Sequence, residues 1–233
     1  MCTGISFQAK DHYFGRNLDL ECSYNERVVI TPRNFKFDMR HKHALTNHYA
    51  MIGMATVIND YPLYYEATNE KGLSMAGLNF PQNADYKPYE ENKDNISPFE
   101  FIPWILGQCS NMNEVNELLN NMNLVNTNYS EELPLSPLHW IISDEKESIT
   151  VESVKEGLKV YKNPYGVLTN NPTFDYHLMN MNHYMHLHEG PSTNQLSNQY
   201  TLIVILKLVS YCHLNIPTPY HVYLLEQYLI KRK

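Results

Sequence analysis

Cysteine is scarce: 233 residues contain four, Cys2, Cys22, Cys109 and Cys212, with no CxxC pair and no framework spacing. The pattern excludes a disulfide scaffold and points to free thiols in a reducing, cytoplasmic setting. A basic excess is also lacking. The 18 Lys and Arg are outnumbered by 25 Asp and Glu, giving a formal net charge of −7. With no basic face to neutralise phosphates, nucleic acid is not an expected partner. Long apolar runs are missing too. The longest, Leu202–Cys212, is interrupted by Lys207 and is too short and polar to span a bilayer, so no membrane partner is expected. The opening MCTGISFQAK has no basic stretch followed by an apolar one, so it is not read as a secretory signal. There is no internal repeat, and the abundant asparagines are dispersed.

What remains is a globular composition, 43% hydrophobic and 18% charged, in a chain long enough to bury a sizeable core. Cys2–Phe7 and Phe14–Leu20 flank a turn at Lys10-Asp11 and read as a hairpin. Val28–Thr31, Met51–Ile58 and Tyr64–Ala67 read as strands. Asn69-Glu70-Lys71-Gly72 is turn chemistry leading into a buried strand, Leu73–Phe80. Tyr86–Asn95 reads as a polar loop. Pro98–Gly107 reads as a helix, and Asn111 with Glu114 resembles a capping box before a second one. Val115, Leu118, Leu119 and Met122 then give that helix one buried face. Strands follow at Leu138–Ser143, Ile149–Val154, Leu158–Tyr161 and Gly166–Thr169, and Phe174–His188 has helical character. Strands in blocks with helices between them favour an α+β fold with antiparallel sheets.

The chemistry concentrates at the start. A small second residue favours removal of Met1, which would leave Cys2 with a free α-amine. Nucleophile and base would then sit in one residue. The returning strand carries Gly15-Arg16-Asn17-Leu18-Asp19, and a hairpin brings Arg16 and Asp19 near Cys2. A guanidinium beside a thiol favours the thiolate, and a carboxylate can hold an ammonium. Without Cys2, Arg16 and Asp19 read first as a solvated ion pair on a strand. Asn79 and Asn170 each end an apolar strand. A strand-end amide can donate to a developing oxyanion; both asparagines also fit turns before proline.

Six segments carry a resemblance: Met1-Cys2-Thr3-Gly4, Phe14-Gly15-Arg16-Asn17-Leu18-Asp19, Asn69-Glu70-Lys71-Gly72-Leu73, Ala76-Gly77-Leu78-Asn79-Phe80-Pro81, Leu138-His139-Trp140, and Leu168-Thr169-Asn170-Asn171-Pro172-Thr173-Phe174-Asp175. In this order they resemble the choloylglycine hydrolase family of bile salt hydrolases and penicillin V acylases, from Met1 to about Gln195. The resemblance implies an N-terminal-nucleophile hydrolase with a four-layer αββα sandwich. It implies Cys2 as nucleophile with its own α-amine as base, and Arg16 and Asp19 flanking thiolate and amine. Asn79 and Asn170 would bind the oxyanion and orient the nucleophile. The implied reaction is amide hydrolysis through a thioester, without metal or cofactor. Asn79 is similar to the bile salt hydrolases, since the acylases more often have Tyr there. The implied partner is therefore a small molecule, a glycine- or taurine-conjugated bile salt, with penicillin V as the alternative. A homotetramer is implied as well.

Beyond Gln195 the likeness stops. The family continues with a glycine-rich loop and a Ser-Arg-Phe segment whose arginine belongs to the active site. Tyr200–Lys233 has neither, and Arg232 stands in a terminal Lys-Arg-Lys run. The expectation is therefore a partial family domain over 1–195, a divergent tail over 196–233, and a sandwich incomplete at its C-terminus. The second functional expectation is a truncated, inactive homologue. His41, His43 and His48, and His183, His186 and His188, form two histidine groups that read as surface residues rather than zinc ligands. Aromatic and Met residues around Tyr24, Met51–Met54 and Tyr61–Tyr65 are the candidates to line an apolar pocket.

Overall fold

Six residues alternating between the two faces, Thr3–Gln8, form β1, and His12–Asn17 returns as β2. The structure, a computed structural model, describes residues 2–184, apart from the side chain of His183. Met1–Asn182 makes one compact unit, and the expected domain boundary at 195 lies outside the described residues. After β1 and β2 come β3 (Arg27–Thr31), β4 (Met51–Ile58), β5 (Tyr61–Asn69), β6 (Ser74–Asn79) and β7 (Asp94–Ile96). Helices α1 (Phe101–Gln108) and α2 (Met112–Leu119) precede β8 (Met122–Leu124). Then follow β9 (Leu138–Ser143), β10 (Ser148–Val154), β11 (Gly157–Lys162), β12 (Val167–Leu168) and α3 (Phe174–Met181).

A seven-stranded antiparallel sheet in the order β11-β10-β9-β6-β5-β4-β3 forms the centre. One face packs against α1 and α2 through Met75, Phe101, Ile105, Trp140 and Ile142, all buried. The other face presents Ala76, Leu78 and Ile141 to Cys2, Leu168 and Phe174. That second core sits beneath a three-stranded sheet, β12-β1-β2. Within it β1 lies over β6 and β12 over β9. Helix, sheet and sheet are thus stacked, as expected for the fold class. No helix among the described residues is long and apolar enough to cross a membrane.

Local chemistry explains several elements. The Asn111 side chain caps α2 by accepting from the Glu114 backbone N–H at 3.1 Å, and the Glu114 carboxylate accepts from Ser110 N at 2.6 Å. Asn69, 3% exposed, closes the β5–β6 turn. Its amide donates to the carbonyls of Leu106 and Cys109, both at 2.8 Å, and its oxygen accepts from Lys71 N and Leu73 N. Four polar groups are satisfied by one side chain, which ties the turn to the end of α1.

Three expectations are corrected. Met122 does not extend the face of α2: the helix stops at Leu119, and Met122 opens β8. The two main sheets are antiparallel as expected; beside them β8 pairs in parallel with β7, so the expected 86–95 loop ends as a strand. β5 starts at Tyr61 and carries Pro62 opposite Val57. Proline is accommodated because β6 pairs only with residues 66–68. The helical reading of 174–188 holds as far as it is described, with α3 followed by a 3-10 turn over Asn182–Tyr184; residues 185–188 lie outside the described residues.

Candidate active site

Strand register assembles the site. β1 pairs with β12 through Gly4↔Leu168 and Ile5↔Val167, and continuing that register by two residues sets Asn170 opposite Cys2. β1 pairs with β2 through Gly4↔Arg16, so Arg16 lies diagonally beside Cys2 on the same, inner face. Gly166 allows the chain to enter β12. Its φ is +63°, and a Cβ there would lie 2.0 Å from the Ser6 carbonyl oxygen. Across this contact Ser6 N donates to Gly166 O at 2.7 Å.

Cys2 is a free cysteine, 5% exposed. Arg16 Nη2 donates to its Sγ at 3.1 Å. The guanidinium is held by Nη1, which donates to Gly77 O at 2.7 Å and to Tyr65 O at 3.3 Å. Nη1 also lies 3.4 Å from Glu66 Oε2, an ion contact rather than a hydrogen bond, and the Arg16 side chain is 3% exposed. Burial raises the Glu66 carboxyl above the usual carboxylate range, against the opposing pull of Arg16.

The nitrogen of Cys2 donates to Asn170 Oδ1 at 2.7 Å, and Asn170 Nδ2 donates to Asn79 O at 2.6 Å. Asn79 ends β6 and is exposed. Thr3 N donates to Asn17 Oδ1 at 2.6 Å, which fixes the residue after Cys2. Asp19 is exposed beyond the end of β2 and takes part in an interaction of its own. His177 Nε2 donates to Asn170 O at 3.3 Å, and burial holds this imidazole below its ordinary range. Sulfur, guanidinium, the Asn170 amide and the Asn79 backbone carbonyl, from four strand ends, are thus linked. A nucleophile with a cationic donor on one side and a fixed nitrogen on the other suits acyl transfer.

A family model for linear amide C–N hydrolases, the choloylglycine hydrolase family, matches residues 2–205. The chain belongs to the choloylglycine hydrolase family. It is 55% identical over 202 residues to a bile salt hydrolase/transferase of Lactiplantibacillus plantarum, covering 87% of this chain and 62% of the relative. It is 47% identical over 192 residues to the bile salt hydrolase/transferase of Clostridium perfringens, covering 80% of this chain and 58% of the relative. The crystal structure of a variant of conjugated bile acid hydrolase from Clostridium perfringens matches with a TM-score of 0.77 at 44% identity, over 85% of this chain and 62% of that one. Penicillin V acylase from Agrobacterium tumefaciens matches with a TM-score of 0.67 at 19% identity, over 80% of this chain and 58% of that one, a likeness of fold. The chain thus spans less than two thirds of the length of these family members.

For this choloylglycine hydrolase family chain, the structure brings Cys2, Arg16 and Asn170 into direct contact and Asn79 through its backbone. Sequence reading missed the carbonyls of Gly77 and Tyr65 and the carboxylate of Glu66, all of which hold Arg16. The hairpin register pointed to Arg16, whereas its holders lie across a sheet-to-sheet interface. Of the pocket candidates, Met51 and Tyr64 belong to the core against the helices. Tyr65 OH lies 2.9 Å from Thr56 Oγ1, which donates to Tyr24 O at 3.1 Å, beside the carbonyl that holds Arg16. The histidines have separate duties. His41 bonds Thr127 Oγ1 at 2.9 Å, whereas His48, expected at the surface, is 5% exposed and its ring nitrogens lie 2.8 Å from Phe35 O and from Tyr49 O. His186 and His188, and the side chain of His183, lie outside what is described.

Proposed function

We propose that this chain carries a cysteine N-terminal-nucleophile amidohydrolase site for glycine- or taurine-conjugated bile salts. The observation that carries the reading is the double hold on Cys2: Arg16 on its sulfur at 3.1 Å and Asn170 on its nitrogen at 2.7 Å. Removal of Met1 turns that nitrogen into an α-amine held where it can take the thiol proton. Sγ attacks the amide carbonyl carbon, and the amine accepts the proton. The oxyanion is met by the Asn79 amide as the carbonyl bond opens. The C–N bond breaks as the ammonium proton passes to the leaving nitrogen, giving free glycine or taurine and a Cys2 thioester. Water then adds to the thioester, the amine takes its proton and returns it to sulfur, and the bile acid leaves. Asp19 serves this cycle by holding the ammonium. No step calls for a metal or cofactor. The bile-salt direction rests on the named activity of the relatives and on Asn79, and penicillin V is the alternative substrate.

The test incubates the purified chain, with loss of Met1 verified by mass spectrometry, with glycocholate, taurocholate and penicillin V. Release of glycine or taurine that Cys2→Ser abolishes supports the reading, whereas faster release from penicillin V moves it to acylase. Modification of Cys2 by iodoacetamide without turnover supports a second reading, favoured by the 62% span of the first relative. In that reading residues 1–233 hold the nucleophile site and turnover requires more chain. Retention of Met1 in an active protein excludes the α-amine mechanism.

A further inference from the structure

Beneath the Asn170 turn lies a pair of ionisable side chains that the mechanism above does not use. His139 and Glu152 are both 0% exposed. They face each other because the β9–β10 register, Val151↔Trp140, places the next residue of β10 opposite the preceding residue of β9. His139 Nδ1 lies 2.9 Å from Glu152 Oε1, and His139 Nε2 lies 2.7 Å from the Thr169 carbonyl oxygen. Glu152 also accepts from Phe174 N, at 3.1 Å to Oε1 and 3.3 Å to Oε2. Phe80, the residue after Asn79, is itself 0% exposed and stacks on the imidazole with ring centroids 4.2 Å apart and planes that differ by 9°.

Donor and acceptor chemistry fixes the proton count. A carbonyl oxygen only accepts, so Nε2 carries a proton. The Nδ1···Oε1 contact requires one more, on the nitrogen or on the oxygen. Either way the pair is neutral as a unit and every polar atom facing it is satisfied, which is the condition for a buried polar pair to hold a fixed geometry. Its two outward bonds end at Thr169 and Phe174. These residues bracket Asn170, and the third contact is the ring beside Asn79. One buried pair therefore grips both ends of the turn that holds the Cys2 nitrogen.

We propose that His139 and Glu152 are positioning residues that set Asn170 against Cys2. The proposal rests on the reading of Cys2 and Asn170 given above, and it deepens that reading by naming what aims the amide. Its effect passes through Asn170, since neither side chain touches Cys2.

The experiment measures the rate of Cys2 alkylation by iodoacetamide against pH in the full chain, by peptide mass spectrometry, so that turnover is not needed. Asn170→Ala is the reference. Glu152→Ala and His139→Ala are expected to change the profile in the same direction, by about tenfold in rate at the steepest point. Combining either with Asn170→Ala should add nothing further. Glu152→Gln, whose amide can donate to Nδ1 while its oxygen accepts from Phe174 N, is expected to restore most of the parent profile. His139→Phe with Glu152→Met roughly keeps the volume and removes the buried polar pair, and it is expected to fold where the alanine variants do not. It should still show the Asn170→Ala profile. A lowered melting temperature with an unchanged profile overturns the proposal, as does a change additive with Asn170→Ala. If Asn170→Ala itself leaves the profile unchanged, the reading of the site falls and the proposal with it.

Discussion

Asn170 Oδ1 accepts from the nitrogen of Cys2 at 2.7 Å although 168 positions separate them. The contact depends on β12 running antiparallel beside β1, and β12 has only two residues. Its entry at Gly166 is therefore a sensitive point. Gly166→Ala should place a methyl group against the Ser6 carbonyl, lower stability by about 1–3 kcal/mol and slow Cys2 alkylation. Urea melts and peptide-resolved labelling read the two effects. Parent-like labelling in this variant would show that the turn holds without β12.

Arg16 is held by the carbonyls of Gly77 and Tyr65. Arg16→Met is expected to cost about 2–4 kcal/mol in urea denaturation, because the Gly77 and Tyr65 carbonyls lose their side-chain donor and Glu66 its opposite charge. Arg16→Lys should recover part of the stability but little of the Cys2 labelling rate, since an ammonium cannot reach sulfur and two carbonyls with a planar fork.

Asn69 offers a contrast, a residue whose loss should leave the nucleophile site alone. Asn69→Ala removes partners from two carbonyls at the end of α1 and from two turn N–H groups. A loss of about 2–4 kcal/mol is expected in denaturant melts, with Cys2 alkylation below the transition unchanged.

Glu70 links stability to acid. Its hydrogen bonds from Arg33 and from Ala50 N lower the carboxyl from 4.5 to about 2. A depressed carboxyl stabilises the fold above its unfolded value, and the contribution is lost as pH falls from about 4.5 through about 2. Glu70→Gln should flatten that part of the stability–pH curve. Arg33 is largely exposed, so salt should weaken the effect in the parent.

Cys109 is 2% exposed, and burial pushes its thiol up to about 12. Native alkylation at pH 8 should therefore leave it unmodified while exposed Cys22 reacts. Rapid labelling of Cys109 would mean that α1 and α2 open from the sheet.

Local signals were readable in the sequence and distant ones were not. The β1–β2 hairpin and the Asn111 cap depend on residues close in sequence, and both stand as expected. Met122 misled because its spacing from Val115 fits a helix face, while its partner, Asp94 in β7, is 28 positions away and invisible to periodicity. Cys2, Arg16 and Asn170 were named from motif content, and their contacts bear out their proximity. Glu152 gave no signal. A charged residue inside Ile149–Val154 reads as a solvent-facing position, and only the pairing with β9 shows that it faces His139.

The mismatch between seven strands and three leaves a rim. Among the described residues β3 is an edge of the large sheet, and Val28 and Ile30 are 64% and 71% exposed on it, with Ile52 beside Ile30 on β4. Among the described residues, β2 is likewise the last strand of its sheet. Unpaired N–H and C=O groups along a β-branched rim are a template for strands from another molecule. Colloidal behaviour should follow from this rim more than from the net charge, with Arg27 the gatekeeper at its start, so that turbidity rises with concentration and falls when Ile30 is made Lys.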